Sequence, residues 1–115
     1  MKKHVFVALM ICSALTHAGA PEGVSDALAA AAEDAYAAMG DYRSTLIAAG
    51  RGNYGYQCEV VAQSHAGSFR TLIALFQSVE PHIESDPEGS SMRMRQVEQQ
   101  ARARLSMLKN MGCYE

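Results

Sequence analysis

The chain has 115 residues, with ten basic side chains, twelve acidic ones and four histidines, and carries a formal charge of −2 at neutral pH. That length suits one domain with one core and is too short for two. The acidic balance argues against a nucleic-acid partner, which would ask for a basic face.

Residues 1–18 read as a secretory signal peptide: Lys2 and Lys3, an apolar run over 5–15, then small residues ending at Ala18. The apolar run is 11 residues long, against about 20 for a membrane-spanning helix, so no span is expected. Cleavage is expected after Ala18, because a cut after Ala20 would place Pro21 directly behind it. Cys12 lies inside the apolar run behind Met10 and Ile11, where a lipoprotein signal needs small residues, and is expected to leave with the peptide. Removal leaves 97 residues in which eight basic side chains face twelve acidic ones, a net charge of −4. The expected location is the periplasm or the outside of the cell.

Residues 19–23 are expected to be irregular. From Val24 the apolar positions Leu28, Ala31, Ala35, Met39, Tyr42, Leu46 and Ala49 recur at helical spacing, with Ser25 or Asp26 as the cap. The alanines favour helix and make a narrow side that another helix can approach closely. Met39, Gly40 and Asp41 interrupt this run, so the stretch is expected to form one helix in which Gly40 allows a kink, or two coaxial pieces. The stretch 50–57, with three glycines and Asn53, reads as a turn.

Residues 58–79 carry Val61, His65, Phe69, Leu72, Phe76 and Val79 on one helical stripe, with Ala62 and Ile73 widening it, and are expected to form the central helix. Pro81 ends the regular part. Asp86, Pro87 and Glu88 form the clearest helix start in the chain: a cap, a proline at the first helical position and an acid in the first turn. The last helix carries Met94, Val97, Ala101, Leu105 and Leu108, and closes with Lys109 and a left-handed Gly112. The expected fold is therefore all-α, a small antiparallel three-helix bundle. Its core is expected to hold Leu28, Ala35, Leu46, Val61, Phe69, Leu72, Ile73, Phe76, Val97, Leu105 and Leu108.

Cys58 and Cys113 lie at the start of one helix and the end of its antiparallel neighbour, so they are expected to form a disulfide that staples the bundle. The bridge sets a register in which residue numbers facing each other on the last two helices sum to 171. Acids crowd the first helix and arginines the last, which predicts solvated faces with attraction between those two helices.

Signals for chemistry are sparse. Ser64, His65 and Ser68 have no acid partner or oxyanion loop beside them, and Glu33 and Asp34 point about 100° apart on a helix. No catalytic residue, metal site or cofactor is assigned, and no enzymatic activity is expected. His65 is the sole candidate ligand: the register puts it beside Ser106 and Met107, and a His–Met pair could hold haem b. Burial with a hydrogen bond to Ser106 or to a backbone group is the plainer reading. His82 with Glu80 and Glu84 reads as a solvated acidic turn. The methionines of the last helix, Met92, Met94, Met107 and Met111, offer a second candidate surface, since methionine suits adaptable contacts, but most of them read as gap-filling core.

The best candidate surface is the disulfide end, where Arg51, Asn53, Tyr54, Tyr56 and Tyr114 collect. Tyr and Arg dominate binding energy at protein interfaces. The expected function is that of a small exported protein that binds another exported protein, as inhibitor, immunity protein or chaperone. The alternatives are a cofactor-carrying bundle using His65, and a homo-oligomeric component of a surface or secretion apparatus. A homodimer is compatible with the first of these.

Overall fold

The computed structural model describes residues 22–114. The expected signal peptide and its cleavage site lie outside those residues. Three helices, α1 (Glu22–Gly50), α2 (Tyr56–Ser78) and α3 (Pro87–Asn110), pack as an antiparallel bundle, with a short 3-10 turn at Glu80–His82 between the last two. No strand occurs among the described residues.

α1 runs unbroken through Gly40 as one helix, and the alternative of two coaxial pieces does not occur. A mid-helix glycine costs about 1 kcal/mol, and the alanines on both sides offset it. The helix also starts at Glu22, ahead of Val24, which puts Ser25 and Asp26 inside it rather than at its cap.

The last two helices begin and end where local chemistry dictates. Asp86 caps α3 by accepting a 3.0 Å hydrogen bond from the Gly89 N–H, with Pro87 at the first helical position. α1 closes with Gly52 at φ 87°: the Gly52 N–H donates to the Ala49 carbonyl and the Asn53 N–H to that of Ala48. α3 closes the same way around Gly112, at φ 76°, with the Cys113 N–H donating to the Leu108 carbonyl. Both are Schellman motifs, which need a residue tolerant of the left-handed region at that point.

The centre of the bundle is α1, not the helix over 58–79. Nine α1 side chains are buried, from Leu28 through Ala35 and Tyr42 to Ala49, against four on α2: Cys58, Ala62, Leu72 and Phe76. The physical reason is size: Ala31, Ala32, Ala35 and Ala38 let α3 come close, and the α1–α3 contact is the most extensive in the molecule. Of the expected core, Leu28, Ala35, Leu72, Phe76, Val97, Leu105 and Leu108 are buried. Leu46, Val61, Phe69 and Ile73 are only half-buried, because the α1–α2 seam is more open. Tyr42, Met94 and Ile83 fill the space instead, each at most 1% exposed.

α1 and α3 run in the same direction, and an ion pair between Arg95 and Asp34 at 2.6 Å ties them. Arg95 and Arg102 also hold Glu98, at 2.9 and 3.0 Å, which keeps its carboxyl below the ordinary carboxylate value. The expected attraction between the acidic first helix and the basic last helix is realised there. These exposed pairs add little stability individually.

Candidate functional site

Cys58 and Cys113 are bonded, with Cα atoms 5.5 Å apart, and both are buried. Two left-handed turns deliver them. Gly52 and Gly55 bring the chain from the end of α1 to the first turn of α2, and Gly112 turns the end of α3 inward. The register of 171 holds to within one residue along the α2–α3 seam: Arg104 Nε–H donates to Ser68 Oγ, and Ser78 with Arg93 and Leu75 with Gln96 line one surface cleft.

The five residues expected at this end divide into two groups. Tyr54 and Tyr114 are half-buried and meet at one cleft of 320 Å³, which Asp41, Ser44 and Thr45 of α1 complete. Lys109 Nζ lies 4.5 Å over the Tyr114 ring, a cation–π contact that orients the terminal aromatic. Thr45 is spent on the fold, its hydroxyl donating to the Asp41 carbonyl at 2.9 Å. Arg51, Asn53 and Tyr56 do not line this cleft and stand exposed around the turn, Tyr56 most of all at 77%.

Three further side chains belong to this end, of which only Val60 has no signal of its own in the sequence. Val60, Met107 and Met111 are exposed at 47%, 54% and 54%, and the register sets Val60 opposite Met111. With Tyr56 they make four of the seven large hydrophobic side chains exposed among the described residues. Methionines 92, 107 and 111 are thus surface residues, and Met94 alone of that helix's four is core, which corrects the gap-filling expectation. The summed register of 171 was signal enough to find the Val60–Met111 pair, because it also says which end both occupy.

His65 lies elsewhere, at the centre of the bundle, and its partner is not Ser106 or a backbone group. Its Nδ1 is 2.5 Å from the hydroxyl of Tyr42, and the two rings meet edge to face. Burial pushes the Tyr42 phenol up, only partly offset by a hydrogen bond from Ser68 and by the Arg104 charge. Burial, then the Arg104 charge, pushes the His65 imidazole down. Both directions favour a protonated phenol beside a neutral imidazole, and with the ring proton on Nε2 the Tyr42 O–H donates to Nδ1. Arg104, Ser68, Tyr42 and His65 form one donor chain across all three helices. Tyr42 is fully buried, and the chain of hydrogen bonds through it ties the helices together.

Met107 is exposed, on the surface of α3. Among the described residues no three of His, Cys, Asp or Glu converge as metal ligands, His82 with Glu80 and Glu84 included. No described helix is long and apolar enough to cross a membrane. Comparison with known protein families, characterised proteins and solved structures finds no match to this chain.

Proposed function

We propose that this is a small exported protein whose disulfide end binds another exported protein, acting as inhibitor, immunity protein or chaperone. The observation that supports this reading is the concentration of exposed apolar side chains at that end: Tyr56, Val60, Met107 and Met111. Grouped apolar side chains left in water at one end of a small monomer mark an interaction surface, and Met and Tyr suit adaptable, high-energy contacts. The neighbouring Tyr54–Tyr114 cleft offers a socket with polar walls. Export rests on the 1–18 signal pattern and agrees with a buried disulfide, which persists in oxidising compartments.

The test is quantitative capture of a partner from the exported fraction of the native cell by the wild-type protein and by a Tyr56→Ala/Met111→Ala double variant. Both positions are exposed, so the variant keeps its fold, checked by helical circular dichroism. Loss of the captured protein supports the reading, and equal capture by both proteins removes it. A homo-oligomeric role would show as a mass above one chain in light scattering that the same double variant returns to the monomer.

A further inference from the structure

Along the α1–α2 seam a groove runs from mid-bundle toward the disulfide end, lined on α1 as far as Gly50. Two adjacent open hollows of 140 and 350 Å³ share Arg43 and Phe69 in their lining. Their floor is apolar, made chiefly by Met39, Leu46, Phe69 and Ile73. No acidic residue lines either one, in a chain where acids outnumber bases. Arg43 and Arg70 both line the larger cavity, and neither makes an ion pair among the described residues. Two guanidinium groups with no partner over an apolar floor are complementary to one kind of occupant: a chain of apolar atoms ending in an anion.

We propose that this groove binds a single-chain anionic amphiphile, with the head group held by Arg43 and Arg70 and the tail lying on Met39, Leu46, Phe69 and Ile73. The dimensions agree. The α1 lining runs from Tyr36 to Gly50, about 21 Å at 1.5 Å per residue, which takes a medium or long acyl chain. A partner helix fits less well, because helices are about 10 Å wide and α1 and α2 stay in contact beneath the groove through Tyr42–Phe69 and Tyr36–Phe76. An acyl chain can enter the slot where a helix could only lie across it. Gly40 supports the same reading: it lines the smaller cavity, and a Cβ built there meets nothing within 4 Å. A larger side chain at that point would project into the groove, and glycine leaves it open. This proposal is independent of the protein-binding role assigned to the disulfide end.

The experiment is calorimetric titration of the purified protein with dodecanoate below its micelle-forming concentration, with lysophosphatidate and dodecanol in parallel. Saturable binding of an anion, weakened about tenfold or more in the Arg43→Gln/Arg70→Gln variant and equally weak for dodecanol, supports the proposal. Dodecanoate and lysophosphatidate together tell a carboxylate head from a phosphate one. A second variant guards against loss of fold: Gly40→Leu places a side chain in the empty cavity and removes a helix-interior glycine. It should raise the melting temperature while abolishing binding. Three results would overturn the proposal: no saturable binding, dodecanol binding as tightly as dodecanoate, or full binding in both variants. Loss of partner-protein capture in Arg43→Gln/Arg70→Gln without any amphiphile binding would instead make the groove a protein-binding face.

Discussion

The Tyr42 hydroxyl and Nδ1 of His65 lie 2.5 Å apart, a hydrogen bond that joins α1 to α2. A buried phenol must find an acceptor, and a neutral imidazole supplies one. The pair works only while the imidazole stays neutral, which burial and the Arg104 charge enforce.

That dependence fixes a pH response. The His65 pKa is lowered from its ordinary 6.5, so on acidification the unfolded chain takes up the proton first. The stability it contributes is complete above 6.5 and is lost as pH falls from there through the depressed folded value. The melting temperature should therefore drop over that range, and His65→Gln should flatten the drop. Glu98 gives a separate loss at lower pH, below its ordinary 4.5, because its carboxyl is depressed by Arg95 and Arg102. An unchanged slope between neutral pH and pH 5 in His65→Gln would contradict the assignment of the neutral tautomer.

Reduction of Cys58–Cys113 opens a loop whose ends are 55 residues apart, which in the chain-entropy model lowers stability by about 4 kcal/mol. Protein from an oxidising compartment should resist thiol alkylation until it is both unfolded and reduced. Its urea midpoint should fall on reduction. Two alkylatable thiols in the untreated protein would remove the staple.

Leu72 and Phe76 are the two large α2 side chains that reach the core, at 0% and 1% exposure. Truncation of either to Ala leaves a cavity and should cost about 2 to 5 kcal/mol in denaturant unfolding. Ser90 predicts the opposite sign. Its hydroxyl is buried without a partner, so Ser90→Ala should be neutral or stabilising. A loss above about 1 kcal/mol in Ser90→Ala would mean that the hydroxyl is satisfied in solution.

Gly89 permits the α3 cap. A Cβ there would overlap Oδ2 of Asp86, so Gly89→Ala must displace the capping carboxylate despite the better helix propensity of alanine. Loss of a cap costs about 1 kcal/mol. Gly89→Ala should therefore destabilise in chemical unfolding, and Asp86→Ala/Gly89→Ala should be no worse than Asp86→Ala alone.

The features legible in the sequence were those set by local chemistry. The Asp86–Pro87 start of α3, the left-handed close at Gly112 and the glycine turn after α1 each follow from a residue that few others can replace. The disulfide carried that reading into three dimensions and gave the α2–α3 register. What stayed hidden depended on α1. Alanine contributes little hydrophobic area, so a pattern weighted by large side chains set the centre on α2, whereas Ala31, Ala35 and Ala38 are buried because smallness allows the closest approach. For the same reason His65 was matched with Ser106 and Met107: the cysteine register relates α2 to α3 and says nothing of Tyr42 on α1. At the disulfide end the tyrosines and Arg51 were visible by type. The exposure of Met107 and Met111 was not, because methionine suits core and interface equally.

The central claim is that a partner seats on the disulfide end. A photo-crosslinking side chain placed at Met111 in the native cell tests it most directly, beside one at Gln77, an exposed position near the opposite end of α2. The account predicts a discrete crosslinked product from position 111 and none from position 77. The same product from position 77 alone, or from neither, would contradict it.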